Sequence, residues 1–197
     1  MPKPLPKIDV RIPFRPGAQL GAEYNYIMHE TKCDWVLFLD HDIFLCNPHW
    51  YLLCQKAIQQ YGKQTGMFSC WTNNLGRTMQ RDETAPQGHD LQQHIEHARK
   101  VFDQHQFSCT TIDKCSGMLL MINREAWYNV GGFPGVGIFK EDWDFSRRLI
   151  FANYKLMRID GLYVYHLRDR TRGSWIEGVD TTKEIRDART DLKKGKR

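Results

Sequence analysis

The sequence predicts an α/β fold of one domain, and three observations support this prediction. Short apolar segments of strand type alternate along the chain with segments whose apolar residues recur at helical spacing. The length of 197 residues suits a single compact domain. The composition, 41% apolar and 26% charged, is that of a globular protein and excludes disordered, collagenous and coiled-coil chains. Alternating strands and helices favour a sheet that is parallel at its start.

The N-terminal third of the chain contains two predicted strand–helix units. Residues 8–14 (IDVRIPF) are predicted as a strand, and residues 18–31 as a helix, because four apolar side chains recur there at helical spacing. Residues 34–40 (DWVLFLD) form a short apolar run, typical of a strand that is buried on both faces. Asn47-Pro48 supplies an N-cap and a first-turn proline for a second helix, which ends before Gly62.

The middle of the chain continues the alternation. Residues 66–70 (GMFSC) are predicted as a strand, and residues 71–90, rich in Thr, Asn, Gly, Gln and Pro, as a loop. A helix follows at residues 91–106 and a strand at 118–123 (MLLMIN). Residues 124–130 are predicted as a short helix that ends at a pair of glycines.

The C-terminal part adds one helix, two strands and a last helix. Residues 141–152 show helical spacing, and two short apolar runs, 156–160 and 162–167, lie on either side of a single glycine. Thr181 and Glu184 have the spacing of a capping box, which predicts the start of the last helix.

Charge is distributed unevenly along the chain, whose net charge is +5. Residues 1–146 contain 14 basic and 16 acidic residues, a net charge of −2, whereas residues 147–197 contain 14 and 7, a net charge of +7. A basic block of this kind attracts phosphate, nucleic acid or an anionic surface. Residues 193–197 are interpreted as a solvated basic tail and residues 1–7 as a Pro-rich lead, within one domain that spans residues 1–197.

Three features of the sequence predict the cellular compartment: its hydropathy, its N-terminus and the spacing of its cysteines. The chain contains no run of 18 apolar residues and its N-terminus has no apolar core, so we expect neither a membrane span nor a signal peptide. The six cysteines form no Cys-x-x-Cys pair, which favours reduced, buried thiols over disulfides or a zinc site: Cys33, Cys46, Cys54, Cys70, Cys109 and Cys115. The expected location is cytoplasmic, with peripheral attachment to a membrane as the alternative.

A first pair of carboxylates, Asp40 and Asp42, follows the most apolar predicted strand. The D-x-D spacing alone decides nothing, because about one such pair is expected by chance, but residues i and i+2 of an extended chain point to the same side. Two carboxylates there can reach one hard cation such as Mg²⁺ or Mn²⁺, and the cation can bind phosphate oxygens. Unpaired buried charge is costly, so acids at this position favour a metal site over a solvated turn.

A second group of acids, Glu141, Asp142 and Asp144, follows a glycine-containing segment. Acids in the first turn of a helix are stabilised by its dipole, so N-terminal capping is the structural alternative. Capping explains one acid more readily than three. Asp142 at the edge of a site could take a proton from a hydroxyl group, and we expect it to be functional.

Four segments in order resemble the GT-A-fold glycosyltransferases, especially family 2. Residues 34–42 (DWVLFLDHD) are similar to the strand and DXD motif of that family, and residues 115–133 to its segment leading to GGF. Residues 140–149 (KEDWDFSRRL) are similar to its ED helix, and residues 163–167 (YVYHL) to its late strand with a histidine. The resemblance implies a GT-A (Rossmann-like) three-layer sandwich with a mixed, mostly parallel central sheet.

The resemblance also implies an activity. It is that of a metal-dependent, inverting hexosyltransferase, which moves a sugar from a nucleoside diphosphate donor of UDP or GDP type to a hydroxyl-bearing glycan or other acceptor. Asp40, Asp42 and His166 would bind Mn²⁺ or Mg²⁺, which neutralises the leaving diphosphate. Asp142 would be the general base, with Glu141 as the second residue of the catalytic set. His166 could instead contact the diphosphate, and a satisfied core histidine is the structural alternative.

The implied substrate contacts fall into two sets. The nucleotide-sugar would be bound by Pro13, Phe14, Arg15, Asp40, His41, Ser116, Gly117, Arg170 and Arg172. The acceptor would be bound by Trp71 and Trp143, for which core packing or an ordinary surface loop is the alternative.

Three other classes of function stay open. A nucleotidyltransferase or sugar-nucleotide pyrophosphorylase also uses aspartates on an α/β sheet, but a Gly-rich phosphate loop is missing after the first strand. A nucleic-acid-binding module could use the basic C-terminal quarter, but it leaves both acidic motifs unexplained, so we expect no nucleic-acid partner. A lectin-like sugar binder would not need Asp142. His94 and His97 share a helix face without a cysteine pair, so a zinc site is not favoured.

Overall fold

The computed structural model describes residues 4–14, 20–73, 75, 78–134 and 141–167. The strands in this part of the chain are β1 (Ile8–Arg11), β2 (Trp35–Leu39), β3 (Ile43–Phe44), β4 (Thr65–Thr72), β5 (Cys109–Ile112), β6 (Leu119–Asn123) and β7 (Lys155–His166). The helices are α1 (Leu20–Glu30), α2 (Trp50–Tyr61), α3 (Leu91–His105), α4 (Arg124–Asn129) and α5 (Glu141–Phe151), with a short 3₁₀ turn at Gly62–Gln64.

The seven described strands form one mixed sheet in the order β1-β2-β6-β4-β7-β3, with β5 also paired to β7. The α/β class and the mixed sheet are thereby confirmed. The expectation of a mostly parallel sheet is wrong for these strands. Only β1–β2 and β4–β7 are parallel, whereas β6 runs opposite to both of its neighbours. The short strands β3 and β5, which no apolar pattern predicted, add two further antiparallel pairings to β7.

Helices cover both faces of the sheet, and β2 shows how the layers divide. Its five side chains are all buried, as the apolar run predicted. Trp35, Leu37 and Leu39 pack into the core that α2 covers. Val36 and Phe38 point the other way, into the core that α1, α4 and α5 cover. The result is a three-layer arrangement of helices, sheet and helices. A strand that is buried on both faces in this way is apolar at every position, so its sequence does not alternate between apolar and polar residues.

Two predicted boundaries differ from the structure for local reasons. Helix α2 begins at Trp50 and not at Pro48, because Oδ1 of Asn47 accepts a hydrogen bond from the His49 N–H at 2.8 Å and forms a turn before the helix. The two strands predicted around Gly161 are one continuous strand, β7. A side chain at position 161 would place its Cβ 1.8 Å from the carbonyl oxygen of Gln106, so the absence of a Cβ allows a close backbone crossing there.

Other predictions agree with the described residues or fall outside them. Helix α3 and helix α5 lie within one residue of their predicted bounds. All six cysteines are free thiols, four of them buried. Among the described helices, none combines the length and the apolar character needed to cross a membrane. The predicted last helix after Thr181 lies outside the described residues.

Candidate metal and catalytic site

Two strand ends bring Asp40, Asp42 and His166 together. Asp40 directly follows β2, and Asp42 directly precedes β3. The antiparallel pairing of β3 with β7 places Ile43 opposite His166, which is the last residue of β7. One potential ligand atom from each of the three side chains lies within 4.8 Å of the other two. The structure thus brings together the three residues that sequence reasoning assigned to a metal, although they come from distant parts of the chain.

Backbone hydrogen bonds hold each of the three residues in place. The Asp40 N–H donates to the carbonyl of Met118 at 3.0 Å, and the carbonyl of Asp42 accepts from the Leu167 N–H at 3.0 Å. The His166 N–H donates to Oδ1 of Asn73 at 2.8 Å. Asn73 belongs to the polar segment 71–80, which could line the donor or acceptor pocket on sequence grounds, but nothing in that segment marks Asn73 as the partner of His166.

The electrostatics of this cluster favour a bound cation. The pKa of Asp40 is raised to about 6, chiefly by burial; the charge of His166 lowers it and the charge of Asp42 raises it. The hydrogen bond from His166 lowers the pKa of Asp42. Nδ1 of His166 is buried and has no hydrogen-bond partner among the described residues. Two carboxylates and one imidazole form a donor set that fits a divalent cation such as Mn²⁺.

The second acidic motif lies in the first turn of α5, where two backbone groups orient Asp142. The Gly117 N–H donates to Oδ2 of Asp142 at 3.0 Å, and the Trp143 N–H donates to Oδ1 at 2.8 Å. Burial raises the pKa of Asp142 despite these bonds. Glu141 is 6% exposed, its Oε1 has no partner among the described residues, and burial raises its pKa as well. Both acids therefore hold their protons more tightly than exposed carboxyl groups do.

The two acidic motifs share a neighbour, Tyr24 of α1. Burial raises the pKa of the Tyr24 phenol, and the charges of Asp40, Asp142 and Glu141 raise it further. The charge of Asp142 also raises the pKa of Asp40. The two acidic motifs therefore lie near the same buried region around Tyr24. In the sequence, Tyr24 is only one apolar position of a helical stripe, and nothing marked it as a neighbour of acids.

The predicted nucleotide-sugar residues are only partly described. Pro13 and Phe14 follow β1, and the Phe14 side chain is exposed. His41 lies in the exposed turn between Asp40 and Asp42. Ser116 and Gly117 contribute backbone N–H groups, of which the first donates to Oε1 of Gln80 at 2.7 Å. Arg15, Arg170 and Arg172 lie outside the described residues.

The two predicted acceptor-binding tryptophans lie in different surroundings. Trp143 is about half exposed beside Asp142, with Nζ of Lys114 4.5 Å from its ring centroid. Trp71 is paired in register with Tyr163, and both pack on the side of the sheet that α3 covers. His166 has the opposite parity on β7, so Trp71 lies on the other face of this strand pair. The role of Trp71 in acceptor binding stays a prediction.

Trp71 also borders a separate cavity of about 420 Å³. The guanidinium carbon of Arg158 lies 3.3 Å from the Trp71 ring centroid, and His97 in the same cavity binds Asp82 at 2.7 Å. Neighbouring His94 is fully buried and hydrogen-bonded to the Tyr163 hydroxyl. His94 and His97 thus have separate hydrogen-bond partners.

Comparison with known proteins gives a fold relationship and no sequence relationship. Neither a protein-family model nor a curated protein matches the chain. Among solved structures, the chain is similar to mannosyltransferase PcManGT from Pyrobaculum calidifontis, determined in complex with GDP-Man and Mn2+, with a TM-score of 0.50 and 14% sequence identity. The match covers 79% of this chain and 38% of that chain. This chain therefore spans well under half of the neighbour's length and has a glycosyltransferase-like α/β fold.

Proposed function

We propose that this protein is a metal-dependent glycosyltransferase that moves a sugar from a nucleoside diphosphate donor, of GDP or UDP type, to a hydroxyl group. The observation that supports this most is the cluster of Asp40, Asp42 and His166. It lies at the carboxyl ends of β2 and β7 in a glycosyltransferase-like fold. A ligand commonly binds at the carboxyl ends of strands in such sheets. The proposal treats residues 1–197 as one GT-A domain related to family 2.

Asp40, Asp42 and His166 would hold Mn²⁺ or Mg²⁺. Without a cation, two carboxylates at this position would repel a diphosphate. A bound divalent cation supplies charge neutralisation for the diphosphate leaving group. Nε2 of His166 lies 3.3 Å from Oδ1 of Asp42, so this nitrogen faces a carboxylate that would share the cation.

Asp142 would act as the general base. The acceptor oxygen attacks the anomeric carbon as the bond from that carbon to the diphosphate oxygen breaks, and Asp142 takes the hydroxyl proton. The nucleoside diphosphate leaves from the opposite side, so the anomeric configuration inverts. A raised pKa makes Asp142 a stronger base than an ordinary carboxylate, and two backbone N–H groups orient it. Glu141 would complete the catalytic set.

The remaining contacts would divide between donor and acceptor. Pro13, Phe14, Arg15, His41, Ser116, Gly117, Arg170 and Arg172 are proposed to contact the nucleotide-sugar. Trp143 is the better supported acceptor contact, because its half-exposed ring lies next to Asp142 in the chain and offers an apolar surface to a sugar.

A thermal-shift panel tests this function directly. UDP-, GDP-, CDP- and dTDP-sugars are added with and without Mn²⁺ to the protein and to Asp42→Ala. A ligand that binds only the native state raises the melting temperature by mass action. We expect a metal-dependent shift with one nucleotide class, absent from Asp42→Ala. Failure of every donor to shift the protein, together with salt-sensitive DNA binding, would overturn the proposal.

A further inference from the structure

Gln80 is a fully buried amide in the segment between β4 and α3. Its Nε2 donates to Oγ of Ser69 in β4, and its Oε1 accepts from the Ser116 N–H at 2.7 Å. Its own carbonyl accepts from the Thr72 N–H at 2.9 Å. A buried amide is unfavourable unless its polar atoms are paired, and here both ends of the amide are used. Gln80 therefore joins a strand of the sheet to the segment that precedes β6.

The hydrogen bonds continue from Gln80 to Asp142 in α5. The Ser69 hydroxyl donates to the carbonyl of Leu119 at 2.7 Å, which anchors it to β6. One residue beyond Ser116, the Gly117 N–H donates to Oδ2 of Asp142 at 3.0 Å. The Gly117 backbone thus lies between a fixed point at Ser116 and a fixed strand at Leu119. Movement at Ser116 would move the donor that orients Asp142.

We propose that Gln80, anchored by Ser69, is a positioning residue for Asp142. It fixes the backbone of Ser116 and Gly117, so that the Gly117 N–H holds one carboxylate oxygen in a set direction. This inference rests on the proposed role of Asp142 as the base. An apolar side chain could fill the space of Gln80, but it would leave the Ser116 N–H and the Ser69 hydroxyl with fewer partners. The amide is therefore suited to orienting the backbone as well as to packing.

The test compares Gln80→Met, of similar length but without the amide, with Gln55→Met. Gln55 lies on helix α2, and its Nε2 donates to the backbone carbonyl of Pro6 at 2.8 Å instead of to a side chain. With GDP-mannose, Mn²⁺ and a hydroxyl acceptor, we expect kcat of Gln80→Met to fall about 10-fold or more, because small misplacements of a catalytic group are costly. The donor KM can rise as well, because Ser116 and Gly117 are proposed donor contacts, so the diagnostic readout is kcat at saturating donor. Gln55→Met should behave as the wild type.

Two further measurements keep the test informative if Gln80→Met folds poorly or if no transfer is found. Ser69→Ala removes only the hydroxyl that anchors Gln80, and it should lower kcat by a smaller factor than Gln80→Met does. Hydrogen exchange of the Gly117 amide needs no turnover, and we expect it to accelerate in both variants relative to Gln55→Met. Absence of transfer in the wild type, with faster Gly117 exchange in the variants, would count against the proposed function and not against the positioning by Gln80.

Two outcomes would overturn the inference. Unchanged kcat and unchanged Gly117 exchange in a folded Gln80→Met would show that Gln80 only fills space. A raised donor KM with unchanged kcat would place its effect on donor binding.

As a rescue, Gln80→Glu keeps an oxygen that can accept from the Ser116 N–H, and it should retain more kcat than Gln80→Met.

Discussion

Nε2 of His166 lies 3.3 Å from Oδ1 of Asp42 and joins the end of β7 to the turn that follows β2. The contact is set by the antiparallel pairing of β3 with β7, in which Ile43 and His166 are opposite each other. The candidate metal site is therefore supported by the ladder of a sheet and by backbone hydrogen bonds on both sides. Sites on strands keep their geometry better than sites on loops.

Removal of the imidazole should weaken metal binding. We expect His166→Ala to bind Mn²⁺ at least about 10-fold more weakly than the wild type, since even indirect partners of a metal contribute about that much. Isothermal titration calorimetry with Mn²⁺ alone measures this. His105→Ala is the matched control, because His105 is an exposed residue at the end of α3. Equal Mn²⁺ affinity in His166→Ala and His105→Ala would exclude His166 from the site.

Loss of the proposed base should separate transfer from binding. Asp142→Asn should keep the Mn²⁺-dependent thermal shift with the donor and lose about 10²- to 10⁴-fold in kcat, which is the usual contribution of a general base. Asp144→Asn is the control in the same helical turn, where Asp144 pairs with Arg148 at 2.9 Å and is half exposed. Loss of donor binding together with transfer in Asp142→Asn would assign Asp142 to the donor site instead.

Ionised Glu141 should destabilise the native protein at neutral pH. Burial raises the pKa of Glu141 in the native state above its ordinary value of 4.5, so the native state holds this proton more tightly than the unfolded chain does. The stabilisation from the bound proton is full below the unfolded pKa and is lost as pH rises through the native pKa. Glu141→Gln should therefore have a higher free energy of unfolding than the wild type at pH 7, and the gain should be much smaller near pH 4.

Urea denaturation at the two pH values, with EDTA present, measures this gain. Glu125→Gln is the control, because Glu125 is an exposed acid in the first turn of α4. If the free energy of unfolding of Glu141→Gln at pH 7 is lower than that of the wild type, the Glu141 carboxylate has a stabilising partner, and the expectation is wrong.

A methyl group at position 161 should disrupt the crossing of β7 with the segment after α3. The Cβ of an alanine would lie 1.8 Å from the Gln106 carbonyl oxygen, so backbone must move. We expect Gly161→Ala to lose about 2 kcal/mol or more in urea denaturation, as for other overpacked sites. Gly88→Ala is the comparison, since its φ of +104° adds backbone strain but its Cβ would meet nothing within 4 Å. An equal or smaller loss at Gly161 would show that the crossing relaxes easily.

Local patterns were enough to predict most of the elements. The five buried residues of β2 follow from a continuous apolar run, and the helices α3 and α5 follow from patterns that likewise depend only on neighbouring residues. Strands β3 and β5 were missed because β3 has two residues and the middle of β5 is exposed, so neither shows an apolar run. The expectation of a mostly parallel sheet was wrong for two reasons. The missed strands contribute two antiparallel pairings, and β6, although predicted as a strand, runs antiparallel to both of its neighbours, a direction that no local pattern records.

By itself, the sequence determined the α/β class and the acids that end β2 and begin α5, which depend on residue type and on spacing along the chain. The addition of His166 to Asp40 and Asp42 came from the resemblance to the GT-A-fold glycosyltransferases. The tertiary structure alone decided that Tyr24 lies among the acids, that Gln80 supports Ser116, and that Trp71 and His166 lie on opposite faces of a strand pair. Strand order and register decide such contacts, and both join residues too far apart in the chain for any local pattern to record.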